Sequence, residues 1–367
     1  MAKIDIAVMA GDGIGPEVMA ATLPVLDAAC QIVGAEALCY RHFDAGAGHF
    51  LRTGVALDPA DLAAIGQSDA ILFGAMGLPD VRYADGTEVA PQIDLRVHFE
   101  LFAGVRPIRL LPGVLSTLRD ERARKLDIVI VRESTEGLFD SRGKGTIEGD
   151  SHARDTMLIT RAASERVFRA AFEIARERKA RGLPGCVTCV DKANVFKSFA
   201  FFRRVFSEIA QDYPDIGANC AYVDAVALNL VAKPWDFDVL VTENMFGDIL
   251  SDLAAALVGG MGMAPSADIG QSMGVFQPSH GSAPDIAGRG TANPTAMILS
   301  GSMMLDWLGA RRGDAALKRA GALIIDVFDK MFVQNAPCPS DLGGQATTEE
   351  ISERAVSFLR QHGGKGG

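Results

Sequence analysis

The stretch Ile4-Asp-Ile-Ala-Val-Met-Ala-Gly-Asp-Gly-Ile-Gly-Pro16 decides the fold class, because a strand pattern gives way to a helix pattern within it. Its opening residues are mainly apolar and branched, which is typical of a buried strand. The three glycines that follow indicate a tight turn, and Pro16 suits the first turn of a helix. Val18, Leu23 and Leu26 then recur at helical spacing. The stretch therefore predicts a strand–loop–helix unit.

The same alternation continues along the chain. Further buried strands are predicted at residues 70–73, 128–131, 186–190 and 239–242. Helices are predicted at 161–181, 196–211, 294–308 and 315–332, with a last one opened by Thr347 and Glu350 at capping-box spacing. This alternation indicates an α/β fold with a largely parallel sheet. The glycine-rich tail, 363–367, has nothing to pack against and is predicted to be mobile.

Length and composition bound the function. A chain of 367 residues, 48% of them hydrophobic, can hold two domains with sizeable cores. A net charge of −10 argues against a nucleic-acid partner but not against a small anion bound by a few arginines. The apolar runs are shorter than a membrane span and the first residues lack a signal-peptide layout. We therefore expect a cytoplasmic protein with no membrane and no nucleic-acid partner.

The six cysteines are typical of buried thiols rather than of a disulfide framework. Cys186 and Cys189 have CxxC spacing, but no second pair of cysteines or histidines stands near them. Three-residue spacing on a strand places two side chains on opposite faces. A zinc or redox site is therefore not expected at this pair.

The glycines of Gly11-Asp-Gly-Ile-Gly15 do not form a dinucleotide-binding fingerprint. That fingerprint requires G-x-G-x-x-G, and here the third glycine comes too early. The loop by itself indicates only a tight turn.

Three arginines are candidate anion ligands. Arg96 and Arg106 flank a mainly apolar segment, and Arg132 ends a predicted buried strand, where α/β folds bind ligands. Guanidinium groups bind carboxylates in a bidentate manner. Each arginine could equally well pair with a nearby acid of the protein itself.

Asp248 and Asp252 are candidate metal ligands. They are four residues apart in a predicted helix, Gly247–Val258, so their side chains face the same way. The flanking residues are apolar, which favours a bound Mg²⁺ or Mn²⁺ over a solvated acidic face. Lys192 and Asp224 each directly follow a predicted strand and are placed at the same crevice end. The polar segment Leu138–Thr160 between these features has no helical period and fits a surface loop, a lid or an arm to a partner subunit.

Together these segments resemble the isocitrate/isopropylmalate dehydrogenase family of β-decarboxylating dehydrogenases over nearly the whole chain. The motifs that carry the resemblance stand in order: Gly11-Asp-Gly-Ile-Gly-Pro-Glu17, Arg132-Glu-Ser-Thr-Glu-Gly137, Asp191-Lys-Ala-Asn194, Asn244-Met-Phe-Gly-Asp-Ile-Leu-Ser-Asp252, His280-Gly-Ser-Ala-Pro-Asp-Ile-Ala-Gly288 and Ala292-Asn-Pro294.

The resemblance implies an isopropylmalate dehydrogenase-like fold, with two α/β domains that share a long mixed sheet, and not a Rossmann fold. Residues 1–106 plus 258–367 would form the large domain, with the cofactor loop and both termini. Residues 107–257 would form the small domain, with the interface of a homodimer and a clasping arm at 138–160.

The resemblance also implies a role for each site residue. Arg96, Arg106 and Arg132 would bind the carboxylates of a dicarboxylate substrate, and Asp224, Asp248 and Asp252 would bind Mg²⁺ or Mn²⁺. Lys192 and Asp224 would reach into the partner's site and accept the proton of the substrate hydroxyl, directly or through water. The remaining substrate-binding positions are Gln92, Ile93, Asn194 and Val195. The cofactor-binding positions are His280, Gly281, Ser282, Ala283, Pro284, Asp285, Ile286 and Asn293. Asp285 favours NAD, because its carboxylate would accept hydrogen bonds from an unmodified ribose and repel a 2′-phosphate.

Two departures from the family affect the function. Phe139 stands where most active members have the tyrosine that protonates the product carbon, so a slower proton transfer or a non-catalytic subunit would follow. Isocitrate enzymes carry Ser and Asn six and four positions before Arg96, where this chain has Ala90 and Gln92. Isopropylmalate enzymes carry a Leu-Leu pair where this chain has Gln92-Ile93.

The predicted function is therefore NAD-dependent, metal-dependent oxidative decarboxylation of a malate-type 2-hydroxy diacid. The best single substrate is 3-isopropylmalate. The alternatives are D-malate or tartrate dehydrogenase and a binding or regulatory paralogue without turnover.

Overall fold

The computed structural model describes residues 3–333 and 338–362. Twelve strands lie within these residues: β1 (Ile4–Gly11), β2 (Leu38–His42), β3 (Ala70–Ala75), β4 (Ala103–Arg109), β5 (Asp127–Glu133), β6 (Thr146–Glu148), β7 (His152–Arg154), β8 (Cys186–Asp191), β9 (Gly217–Tyr222), β10 (Val239–Thr242), β11 (Pro265–Ile269) and β12 (Gly274–Pro278).

Eleven α-helices lie within the same described ranges: α1 (Gly15–Val33), α2 (Ala47–Thr53), α3 (Pro59–Ile65), α4 (Pro91–His98), α5 (Arg161–Ala180), α6 (Lys197–Ile209), α7 (Val223–Ala232), α8 (Asn244–Ala255), α9 (Thr295–Arg312), α10 (Ala315–Met331) and α11 (Thr348–His362).

Ten strands form one mixed sheet in the order β2-β1-β3-β12-β11-β4-β5-β10-β8-β9. The two outer blocks are parallel, whereas β11 and β4 in the middle run antiparallel to their neighbours. Within these parallel blocks, β3 and β10 are buried throughout, as parallel strands covered on both faces are. The order confirms the expected α/β fold with a long mixed sheet and differs from a Rossmann sheet.

Helices cover both faces of the sheet. The largest apolar cluster joins α1, α9, α10 and α11 to the strands beneath them, and a second lies between α5, α6 and strands β5, β8 and β10. The sheet runs through both proposed domains, and the boundaries 1–106 plus 258–367 and 107–257 stay predictions.

Helix α1 corrects the expectation that every apolar run is shorter than a membrane span. By length and composition it is the one helix in the described part of the chain that could cross a membrane. It packs instead against α9, α10 and α11 through buried residues such as Val18, Val25 and Leu26.

Hydrogen bonds settle one local prediction, and strand pairing describes the segment 138–160, whose role as a loop, a lid or an arm stays a prediction. The Thr347 backbone N–H donates to Glu350 Oε2 at 2.8 Å, and the Glu350 N–H donates to Thr347 Oγ1 at 3.2 Å, so the capping box is confirmed. The segment 138–160 contains a short 3₁₀ turn, Leu138–Ser141, and the exposed hairpin of β6 and β7. The predicted mobility of residues 363–367 lies outside the described residues.

Candidate active site

Arg132 lies where strand register brings it to the start of a helix. β5 pairs with β10 so that Arg132 stands beside Thr242, the last residue before the turn into α8. Arg132 Nε and Nη2 donate to Asn244 Oδ1 at 2.8 and 2.6 Å, and Nη1 donates to Asp248. Burial, and then the charge of Arg96, lower the Arg132 pKa to about 10. The guanidinium is therefore held rigidly, at the cost of desolvation.

Gly247 allows this approach. A Cβ at that position would lie 2.7 Å from Arg132 Cβ and Cγ, closer than side chains tolerate. Glu243 caps the same helix by accepting from the Phe246 N–H at 2.7 Å. The glycine and the cap together fix α8 against β5.

Asp248 and Asp252 share one face of α8, as the spacing predicts. Asp248 is half-exposed and paired with Arg132. Within the described ranges, the Asp252 carboxylate makes neither a hydrogen bond nor an ion pair. Burial, and then the charge of Asp248, raise the Asp252 pKa. Two partly exposed carboxylates that repel each other across one helical turn fit a divalent cation.

Arg96 and Arg106 meet at a buried carboxylate, Asp268. Arg96 Nε donates to Asp268 Oδ2 at 3.1 Å, and Arg106 Nη2 lies 3.7 Å from Oδ1. Burial alone would raise the Asp268 pKa, but Arg96, Arg106 and Arg132 outweigh it and hold that pKa below its ordinary value. Asp268 is therefore ionised inside the arginine cluster.

The three arginines and the two aspartates of α8 line one cavity of about 240 Å³. It is bounded by residues from the carboxyl ends of β3 and β12, from α4, β4 and β5, and from α8. The lining residues are Phe73, Gly74, Ala75, Met76, Gln92, Ile93, Arg96, Arg106, Arg132, Phe139, Asp248, Ser251, Asp252, Gln277, Pro278, Ser279, His280 and Gly281. Three of their buried polar atoms, Arg106 Nη1, Gln92 Oε1 and His280 Nε2, have no hydrogen-bond partner among the described residues. Such atoms favour a polar ligand in the cavity.

The glycine loop after β1 supports the loop that follows β12. Gly13 has a φ of +56° and packs against the Ser282 carbonyl, which a Cβ would approach to 1.9 Å. The Ile14 N–H donates to that carbonyl at 2.8 Å, and Ser282 Oγ donates to the Gly77 carbonyl at 2.5 Å. The loop 11–15 therefore orders the wall of the cavity in addition to making a turn.

Some of the predicted cofactor-binding residues line the cavity, and the others do not. His280 and Gly281 line the cavity, and burial lowers the His280 pKa. Asp285 is exposed, as a contact with a ribose requires. Asn293 lies further along, where its Oδ1 accepts from the Thr295 N–H at 3.0 Å. The other predicted cofactor positions, Ser282, Ala283, Pro284 and Ile286, do not line the cavity.

Lys192 and Asp224 form a pair of their own outside the residues that line the cavity. Lys192 Nζ lies 2.5 Å from Asp224 Oδ1, and this contact lowers the Asp224 pKa. Asn194 and Val195 beside them are exposed, Val195 to 60%. One chain therefore brings the arginines and two aspartates together with Gln92, Ile93 and Phe139, but not the lysine half of the predicted site.

Sequence reasoning missed Asp268 and Gln277. The available signal was an acid inside the short strand Pro265-Ser-Ala-Asp-Ile269, whose other residues are apolar or small. A charged residue in such a strand requires a buried partner.

Cys186 and Cys189 are both free cysteines, and the expectation of no zinc or redox site at this pair stays a prediction. Cys189 is buried and Cys186 lies beside Asn219, so the two do not pair with each other. Cys189 lies instead near Asp191 and Cys220.

Solved structures share this architecture. The chain is similar to isocitrate dehydrogenase from Methylococcus capsulatus, with a TM-score of 0.84, 34% identity and coverage of 97% of this chain and 99% of the other. It is also similar to a β-decarboxylating dehydrogenase from Thermococcus kodakarensis in its apo form, with a TM-score of 0.78, 36% identity and coverage of 97% and 96%. The fold and the site thus define a decarboxylating dehydrogenase.

Sequence comparison narrows the class. The model of the isocitrate/isopropylmalate dehydrogenase family matches residues 5–355. A 3-isopropylmalate/3-methylmalate dehydrogenase from Methanocaldococcus jannaschii is 42% identical over 97% of this chain and 99% of its own length. A 3-isopropylmalate dehydrogenase from Desulfotalea psychrophila is 43% identical over 96% and 99%. The chain belongs to the isocitrate/isopropylmalate dehydrogenase family, as an NAD-dependent β-decarboxylating dehydrogenase.

Proposed function

We propose that this protein carries out NAD-dependent oxidative decarboxylation of a malate-type 2-hydroxy diacid with Mg²⁺ or Mn²⁺, and that 3-isopropylmalate is its substrate. The observation that carries the proposal is one cavity that joins three arginines, two aspartates of α8 and the start of the loop after β12. Anion-binding, metal-binding and cofactor-binding groups then meet where a small diacid fits.

The arginines bind and orient the substrate. Arg106 Nη1 is buried and without a partner in the described part of the chain, so it is free to donate to a substrate carboxylate. Asp248 and Asp252 would hold the metal, which would supply Lewis-acid chemistry: a lower pKa of the substrate hydroxyl and stabilisation of negative charge as carbon dioxide leaves. Asp248 is in contact with Arg132, so the guanidinium and the metal would share this carboxylate.

Lys192 and Asp224 act from a second copy of the chain. They lie outside the residues that line the cavity of their own chain, and their 2.5 Å pair is suited to move the hydroxyl proton in a partner's site. The exposed apolar residues Leu228, Val231 and Ile249 on α7 and α8 support a homodimer. Sedimentation equilibrium tests this: a monomer at micromolar concentration would contradict it.

The arm 138–160 adds a second contact between the copies. The hairpin β6–β7 is fully exposed, with Ile147 at 79%, and an isolated two-stranded hairpin is marginally stable in water. Its packing against a partner would stabilise it.

The loop from His280 to Asn293 would hold NAD, which would supply the hydride acceptor. His280 and Gly281 place the start of this loop at the cavity, and exposed Asp285 accepts hydrogen bonds from the ribose. Phe139 lines the cavity with its ring 5.1 Å from Arg132 Cζ. It shapes the site but has no proton to give, so another group or water protonates the product carbon.

The wall beside Gln92 and Ile93 distinguishes the substrates. The relatives named 3-isopropylmalate dehydrogenase favour an apolar substituent at C3, which Ile93 can contact. Gln92 favours a second candidate, tartrate, because its buried Oε1 has no partner among the described residues and a hydroxyl at C3 would donate to it. D-malate, which has no C3 substituent, is compatible with both residues of this wall. The non-catalytic alternative has no support from these relatives, which are named as dehydrogenases.

One assay tests the proposal: NADH formation from 3-isopropylmalate, 3-methylmalate, D-malate, tartrate and isocitrate, with Mn²⁺ or Mg²⁺ and with NAD or NADP. We expect turnover of 3-isopropylmalate with NAD and a loss of more than about 100-fold after Asp252→Asn. No turnover of any diacid, in a protein that binds NAD, would refute the enzymatic proposal. We place this reaction in the cytoplasm.

A further inference from the structure

The buried carboxylate of Asp268 lies behind the arginines and does not line the cavity. It is 1% exposed, accepts a hydrogen bond from Arg96 Nε at 3.1 Å and forms an ion pair with Arg106 Nη2 at 3.7 Å. Arg106 Nη1 is buried and has no partner within the described ranges. The carboxylate therefore sets which edge of the guanidinium groups a ligand meets.

Gln277 completes the arrangement from the neighbouring strand. β11 and β12 pair with Asp268 opposite Val275 and Ser266 opposite Gln277, so the side chains of Asp268 and Gln277 are diagonal neighbours on one face of the sheet. Gln277 Nε2 donates to Asp268 Oδ2 at 2.6 Å. A glutamate at 277 would put a second carboxylate at that distance, and the two charges would repel unless one were protonated.

Gly104 makes the space for the carboxylate. It is paired with Asp268 across β4 and β11. A Cβ at this position would lie 3.0 Å from Asp268 Oδ1 and 2.6 Å from Ser134 Oγ. The two strands that flank β11 thus each contribute a residue whose size or charge suits one buried carboxylate.

We propose that Asp268 is a positioning residue, which fixes Arg96 and Arg106 for the substrate carboxylates, with Gln277 as its neutral partner. The inference rests on the proposed function, in which these arginines bind the diacid. Without the negative charge, three buried guanidinium groups repel one another and lose the contact that orients two of them. Because Asp268 and Gln277 are hydrogen-bonded to each other, exchanging the acid and the amide would move the negative charge to the neighbouring position.

The test compares Asp268→Asn with the exchange variant Asp268→Asn/Gln277→Glu. Binding of the panel diacid with the highest affinity for the wild-type protein is measured by calorimetry in the presence of Mn²⁺ and without NAD. We expect Asp268→Asn to weaken binding by about tenfold or more, and the exchange variant to recover most of that loss. In turnover assays of Asp268→Asn, KM should rise by a larger factor than kcat falls, since the arginines bind the substrate in the ground state as well as in the transition state.

Asp238→Asn is the matched control. Asp238 is also a buried aspartate paired with an arginine, Arg178, but neither lines the cavity. The Asp238→Asn variant should have a lower Tm than the wild-type protein, and its dissociation constant for the diacid should be unchanged. If Asp268→Asn does not fold, the exchange variant decides alone, because it keeps one acid and one amide: near-wild-type binding supports the proposal.

Two results separate the inference from the proposed function. A wild-type protein that binds none of the diacids refutes the proposed function and the inference with it. A wild-type protein that binds, together with an unchanged dissociation constant in folded Asp268→Asn or no recovery in the exchange variant, overturns the inference alone.

Discussion

Gly247→Ala should damage catalysis more than stability. The added Cβ would lie 2.7 Å from Arg132 Cβ and Cγ, whereas ordinary contacts begin near 3.4 Å. Helix α8 must therefore move away from β5 by about 0.7 Å, and a misplacement near 1 Å can cost about 100-fold in rate. Asp248 and Asp252 move with α8, whereas Arg132 stays on β5, so the contact between Arg132 and Asp248 is disturbed.

We expect kcat/KM to fall by about 10- to 100-fold. Stability changes less, because alanine gains about 1 kcal/mol of helix propensity over glycine, which offsets part of the strain. The assay is NADH formation with the best substrate of the panel, beside a thermal unfolding curve.

Gly66→Ala is the matched control. Gly66 ends α3 with a φ of −62°, and a Cβ there would stay 3.5 Å from its nearest neighbours, so activity should not change. Activity of Gly247→Ala within about twofold of the wild type would refute the reasoning, because a displacement of α8 could not then be reaching the site.

Three further predictions concern the cavity and the core. Phe139→Tyr should raise formation of the decarboxylated product by about tenfold, because a phenol at the cavity wall can donate the missing proton; an unchanged or lower rate contradicts this. Arg178→Met should destabilise the fold by about 3–5 kcal/mol in urea unfolding, because Asp238 loses a 2.6 Å contact in a buried site; a change under about 1 kcal/mol would count against it. Asp268 has a pKa held below its ordinary 3.8, so it contributes stability that is present above pH 3.8 and lost as pH falls through the lowered value. The free energy of unfolding of Asp268→Asn should therefore fall less steeply with decreasing pH below 3.8 than that of the wild-type protein. Parallel curves of unfolding free energy against pH would contradict this.

The fold was predictable because its signals are local. Short apolar runs predicted β1, β3, β5, β8 and β10, and the described strands extend those ranges by two residues or fewer at either end. The two antiparallel strands at the centre of the sheet were not predicted. β11 and β4 meet across more than 150 residues of chain, and such pairing leaves no local pattern.

The site was predictable as a set of residues but not as a set of contacts. Arg96, Arg106 and Arg132 were expected at one crevice, and they line one cavity. The sequence argument left open whether each arginine binds a ligand or a protein acid. The structure shows both kinds of surroundings. Arg132 contacts Asp248 and Arg96 contacts Asp268, while all three arginines still line the cavity.

These internal pairs change the meaning of the aspartate pair on α8. Two carboxylates on one helix face were expected to need a cation, but Arg132 already neutralises Asp248 in part. Asp252 has no such partner among the described residues, and its pKa is raised by burial and by Asp248. If the proposed metal site is correct, Asp252→Asn should weaken metal binding more than Asp248→Asn. A cation that draws Asp248 away from Arg132 also frees that guanidinium for the substrate, so metal and diacid should each strengthen the binding of the other.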